Sequence, residues 1–163
     1  MTASNLTFAA FAAAAFVVCA AEAADPEPAQ LPAEVIRGKY IVQTAGCNDC
    51  HTEGYALAAG KVDEAKWLTG DRLGWRGDWG TTYASNLRLA VKDMTAEQFM
   101  ARARSPLRPP MPWFNLRDMR DADVKAIFAY LKHLGPAGEP APAYVPPDQE
   151  PAEPYIRFPA MPK

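Results

Sequence analysis

Residues able to carry chemistry are scarce in this chain: 163 positions hold three cysteines and two histidines. That supply excludes a disulfide framework, since Cys19 lies in a segment read below as a removable leader and only Cys47 and Cys50 then remain. Nucleic acid is excluded as a partner by a net charge of −2 and the lack of any Lys/Arg block. No Lys or Arg precedes Arg37, and no apolar/polar alternation runs long enough to read as a strand. The longest apolar run, Leu6 to Ala21, falls short of the roughly 20 residues that a membrane-spanning helix requires. The mature chain is therefore expected to have no integral membrane span.

That run, followed by small residues around Ala21 and Ala23, has the form of an export signal. Residues 1–23 are read as a signal peptide, 24–32 as a linker, 33–136 as the folded domain and 137–163 as a tail. Nine of the sixteen prolines follow Gly135. Proline lacks an N–H and fixes φ, so the tail is neither helix nor central strand. Its apolar residues, Tyr144, Val145, Tyr155, Ile156 and Phe158, are handholds for lying along the body or a partner; a plain linker is the other reading. Charge is uneven: residues 61–120 hold eleven Lys/Arg against seven Asp/Glu, which reads either as a basic face or as ordinary solvated surface.

Three helices are legible between the ends. "PAEVIRGKYIVQTAG" places Val35, Ile36, Tyr40 and Ile41 or Val42 at helical spacing and stops at Gly46. "TAEQFMARARS" opens with the capping-box pair Thr95 and Gln98 and ends before Pro106. "DADVKAIFAYLKHLGP" carries Val124, Ile127, Phe128, Leu131 and Leu134 on one stripe, acids in its first turn, and Gly135-Pro136 as its stop. The expected class is all-α with long loops. Three short helices and loops holding Trp67, Trp75 and Trp79 make a poor core, so something besides side chains must fill the middle.

The first helix runs directly into "CNDCH", Cys47 to His51. C-x-x-C-H is the attachment signal of c-type haem. The two thiols reach two vinyl groups on one porphyrin edge, and the next residue, His51, is brought to the iron as proximal ligand. Two rivals fail. A redox C-x-x-C wants a preceding strand and a βαβ surround. Zinc needs four ligands, and after this cluster the chain offers no further cysteine and only His133, which the helical wheel puts on the polar side of the last helix, opposite Val124.

Helix, "AGCNDCHT", Trp/Gly-containing loop, "MPW" and a last helix ending "AIFAYLKHLGP" together resemble a mono-haem class I cytochrome c over residues 33 to 136. "GTTYASN" and the Met-Pro ahead of the last helix are similar to the haem domains of bacterial dehydrogenase cytochrome subunits. The resemblance implies a cytochrome c fold, three main helices around one covalent haem c, with Gly38 and Tyr40 crossing the last helix near Tyr130. It also implies an axial methionine in "SPLRPPMPWFN", which makes Met111 the distal ligand. The physical reason agrees: thioether sulfur is a weak ligand, and a loop stiffened by prolines loses less entropy in presenting it. Met94, Met100 and Met119 read as core, and Met161 lies in the tail.

Many members of that family have a proline soon after the motif whose carbonyl accepts the proximal imidazole N–H. This chain has none between His51 and Pro106, so the partner of His51 is open at this level. Trp67, Trp79, Tyr83 and Asn86 are the candidates for haem packing or propionate contacts. With His51 and Met111 both on iron, the expectation is an electron carrier, not an enzyme: a periplasmic cytochrome between a dehydrogenase donor and a cytochrome or oxidase acceptor of the respiratory chain, either free or as a subunit. The alternative is a haem enzyme or a gas- or peroxide-responsive haem protein whose sixth ligand is displaceable.

Overall fold

The computed structural model describes residues 30–159. The leader reading and Met161 lie outside these residues. The sequence-derived helices are present as α1 (Ala33–Thr44), α4 (Ala96–Ala103) and α6 (Asp121–Leu134), and three shorter ones join them: α2 (Cys47–His51), α3 (Leu87–Ala90) and α5 (Trp113–Asp118). The all-α expectation needs correction. A three-stranded sheet of order β2-β1-β3 is built from β1 (Gly74–Gly77), β2 (Gly80–Tyr83) and β3 (Tyr155–Arg157).

Local chemistry accounts for the helix ends. Thr95 accepts from the Gln98 amide, and Gln98 reaches back to the Thr95 amide, so the capping box on α4 is complete. Asp121 and Asp123 sit in the first turn of α6, where the helix dipole favours negative charge. At its other end the buried Arg88 donates to the carbonyls of Leu134 (2.5 Å) and Gly135 (2.6 Å), and also to Ala65 (2.7 Å). A cation thus satisfies carbonyls that the helix leaves open.

The core lies where α1 crosses α6. A Cβ built on Gly38 would stand 2.0 Å from the Ala126 carbonyl oxygen and 2.7 Å from Tyr130 Cβ, so only glycine permits this approach. Val42, Leu68, Val124, Tyr130 and Leu131 are buried around the crossing, each aliphatic side chain contributing roughly 1.5–3 kcal/mol by leaving water. The α1 stripe read in the sequence holds at Val35, Ile41 and Val42 and fails at Ile36 and Tyr40. Val35, Gly38, Ile41 and Val42 face the core, whereas Ile36 and Tyr40 are more than half exposed. The close contact at Gly38 sets which face points inward. Tyr130 donates to Glu64 (2.8 Å), and Lys39 pairs with the same carboxylate.

The hairpin β1–β2 pairs Trp75 with Thr82 and Arg76 with Thr81. The tail is ordered against it twice. Val145 exchanges two backbone hydrogen bonds with Thr81 (2.7 and 3.0 Å), and β3 then runs parallel to β1, Trp75 opposite Ile156. β3 is an edge strand, the position proline-rich chain can occupy. Gly80 makes the first crossing possible: its φ is +95°, and a Cβ there would come within 2.5 Å of the Val145 carbonyl. Buried Arg76 donates to Thr81 Oγ1 (3.2 Å) and to the carbonyls of Gln149 (2.8 Å) and Pro147 (3.1 Å), stapling the turn between the two crossings. No helix among the described residues is long and apolar enough to cross a membrane.

Candidate haem site

The motif occupies one short helix, so Cys47, Cys50 and His51 are brought together by α2 alone. Both cysteines are free and partly buried. Burial pushes the Cys47 thiol up to about 11 and also raises that of Cys50, so both stay protonated at neutral pH. Two segments hold this helix from outside. Thr52 Oγ1 donates to Asn48 Oδ1 (2.8 Å) and accepts from the Leu68 amide (2.8 Å), and the Gly70 amide donates to the His51 carbonyl (2.8 Å). Asn48 and Thr52 are fully buried.

The partner of His51 left open by the sequence is the carbonyl of Ser85. His51 Nδ1 lies 2.7 Å from that oxygen. A carbonyl only accepts, so the imidazole proton is on Nδ1 and the lone pair is on Nε2. Burial of the ring lowers its pKa, which favours the same neutral form. This is the state in which imidazole ligates a metal. Two thiols one helical turn apart beside such an imidazole are the donor set that a covalently attached haem requires.

Met111 stands elsewhere, partly buried in the loop between α4 and α5. Its carbonyl accepts from the Trp113 amide (2.8 Å), and upstream Thr82 Oγ1 donates to the Pro109 carbonyl (2.6 Å). The other candidates divide. Trp67 is buried and spends its indole N–H on the Val62 carbonyl (2.9 Å). Asn86 is buried as the cap of α3, accepting from the Leu89 amide, and donates to the carbonyls of Ala137 (2.8 Å) and Glu139 (3.1 Å). Trp79, at the hairpin turn, has a buried Nε1 with no hydrogen-bond partner among the described residues. Tyr83 lines a groove of about 350 Å³ with Ser85, Asn86, Leu89 and the tail residues Pro140 and Pro142. Met119 packs against the core, and His133 is exposed on α6.

Sequence reasoning missed Ser85, Thr52 and Asn48. Ser85 acts through a backbone carbonyl and carries no side-chain signal. Asn48 and Thr52 stand four apart with the second at the end of α2, a spacing that brings side chains together.

Comparison with known proteins agrees with this geometry. The fructose dehydrogenase cytochrome subunit of Gluconobacter japonicus is 27% identical over 135 residues, covering 75% of this chain and 26% of that protein. The cytochrome c subunit of the quinone alcohol dehydrogenase of Gluconacetobacter polyoxogenes is 27% identical over 144 residues, covering 80% of this chain and 28% of its own length. A subunit of the nicotinate dehydrogenase of Pseudomonas putida is 25% identical over 118 residues, covering 66% and 9% respectively. The chain thus spans between about a tenth and just over a quarter of these relatives. No solved structure matches it. The family model described as cytochrome c matches residues 35–135, from α1 through the end of α6, and contains the attachment motif at Cys47, Cys50 and His51. This chain therefore belongs to the cytochrome c family, whose cofactor is a covalently bound haem c.

Proposed function

We propose that this chain is a periplasmic electron-transfer cytochrome whose single haem c takes His51 and Met111 as axial ligands, and which receives electrons from a dehydrogenase and passes them towards the respiratory chain. The observation that carries the reading is the His51–Ser85 hydrogen bond at 2.7 Å, which fixes the imidazole in its ligating tautomer. Haem c supplies a one-electron iron couple. The chain's own residues do the rest. Cys47 and Cys50 tether, His51 is held in direction by Ser85, and Met111 is presented by a loop anchored at Pro109. With His51 and Met111 both holding the iron, no position would be left for substrate, so the site would move electrons and not atoms. Methionine also favours the reduced state relative to a second histidine.

Further assignments follow from where polar groups are already engaged. Trp79 is the candidate whose indole N–H is buried and still without a partner among the described residues, which leaves it free to donate to a propionate, and Tyr83 lines the groove beside Ser85. Trp67 and Asn86 act by packing and by holding the chain around the site. The haem domain spans residues 33–136, and export is supported by the apolar run Leu6 to Ala21 followed by small residues. Relatives that are cytochrome subunits of fructose and alcohol dehydrogenases support a dehydrogenase donor.

The test is spectroscopic. Oxidised wild type is expected to show the far-red sulfur-to-iron band and Met111→Ala to lose it, with both proteins retaining covalent haem. Retention of the band in the variant moves the ligand to another methionine. Rapid and complete CO binding by reduced wild type at neutral pH replaces the carrier with the alternative, a haem protein whose sixth ligand is displaceable.

A further inference from the structure

We propose that Tyr144, in the proline-rich tail, is a positioning residue for the Met111 loop, so that the tail helps set how firmly the sixth ligand is held. The inference rests on the reading of Met111 as that ligand. It starts from two neighbouring residues of β2. Thr81 pairs through its backbone with Val145 of the tail, while Thr82 donates its hydroxyl to Pro109 of the loop, two positions before Met111. One short strand thus holds the tail by the backbone of its edge and the loop by a side chain. A second link closes the circuit directly: the Arg108 guanidinium lies 4.2 Å from the centre of the Tyr144 ring. Tyr144 is itself fixed, its hydroxyl donating to the Trp79 carbonyl (2.8 Å). Arg108, Pro109, Thr82, Thr81, Val145 and Tyr144 therefore form a closed ring of contacts.

Beyond Met111 the loop is pinned by a different device. Arg104 donates to the carbonyls of Leu116, Arg117 (2.6 Å) and Met119 (2.8 Å) and pairs with Asp121, fixing α5 against the start of α6. Met111 thus hangs between a downstream anchor inside the helical body and an upstream anchor that depends on the tail. A thioether binds iron weakly, and its occupancy depends on how little freedom the loop has left. Release of the upstream anchor raises the fraction of time the sulfur is away, and CO association in the reduced protein scales with that fraction.

The experiment uses full-length, haem-bearing protein, with CO association kinetics and the far-red band as readouts. Tyr144→Ala removes both the ring and the hydroxyl and is expected to speed CO association roughly tenfold and weaken the band. Tyr144→Phe keeps the ring under Arg108 and is expected to stay within about threefold of wild type. Arg108→Leu, at an exposed position, is expected to act in the same direction as Tyr144→Ala, and the double variant to fall short of the product of the two single effects. If Tyr144→Ala yields no haem-bearing protein, Arg108→Leu alone decides. Wild-type kinetics and band in these variants overturn the proposal while the ligand reading stands. A band that survives Met111→Ala overturns that reading separately.

Discussion

Where α1 crosses α6, Gly38 touches the Ala126 carbonyl, and Val42, Val124, Tyr130 and Leu131 are out of water. Where the tail crosses the hairpin, the contacts are chiefly polar: two backbone bonds at Val145, the β1–β3 ladder and the Arg76 guanidinium on two carbonyls, beside Phe158 on Trp75 and Trp79 and the buried Pro151. The first region is held by shape and excluded water, the second by donors meeting acceptors. Each supports one side of the proposed chemistry. The attachment motif leaves directly from α1, whereas the Met111 loop leans on β2 and the tail. Close packing tolerates loss of a polar group but not added volume, and a polar staple has the opposite sensitivity.

The largest effect is expected from volume at the helix crossing. Gly38→Leu must displace the Ala126 backbone and is expected to cost about 3 kcal/mol or more, read from urea unfolding of the haem-bearing protein. A cost under about 1 kcal/mol would mean that the crossing is looser than the geometry shows. Arg76→Met comes next. It keeps an apolar stem but strips the donors from Thr81, Pro147 and Gln149, and is expected to cost about 1–3 kcal/mol. Its ion pair with the largely exposed Glu150 adds little. Amide exchange sharpens the comparison: Val145 and Phe158 should exchange faster in this variant while Leu131 stays protected. Equal acceleration everywhere would show that the two regions open as one unit.

The smallest effect belongs to Glu64, a carboxylate beside the crossing that pairs with Lys39 of α1 and accepts from Tyr130 of α6. Burial works to raise its carboxyl, but hydrogen bonds from Lys39 and Tyr130 outweigh it and leave the group below its ordinary 4.5. A depressed folded value means that the native state binds the proton less readily than the unfolded chain. Its stabilisation is complete above about pH 4.5 and is lost as pH falls through the folded value. Glu64→Gln should therefore flatten stability against pH below that point, as followed by urea midpoints. An unchanged slope would assign the acid sensitivity to other carboxylates.

The helical region was largely legible in the sequence, and the sheet region was not. Thr95 with Gln98, and the stripe from Val124 to Leu134 closed by Gly135, are local signals, and α4 and α6 appear where those residues place them. On α1 the spacing finds the inward-facing Val35, Ile41 and Val42 but also counts the exposed Ile36 and Tyr40, because the contact that orients the helix is made by a residue with no side chain, Gly38. "GWRG" and "GTTY" show no alternation of apolar and polar residues, so β1 and β2 left no period to read. Tail order rests on partners far away in sequence, among them Arg76, more than 70 positions from the carbonyls it holds. Within the site, the motif announces the attachment residues, while the oxygen that orients His51 belongs to the backbone of Ser85 and is visible only after folding.

That last contact separates two events in time. Cys47 through His51 are five consecutive residues, so an unfolded chain already presents both thiols and the imidazole side by side. The bearing of the imidazole, by contrast, comes from an oxygen 34 positions away and exists only once the intervening chain has closed. Covalent capture is open to the unfolded polypeptide; the direction in which His51 presents its ring is a property of the finished fold.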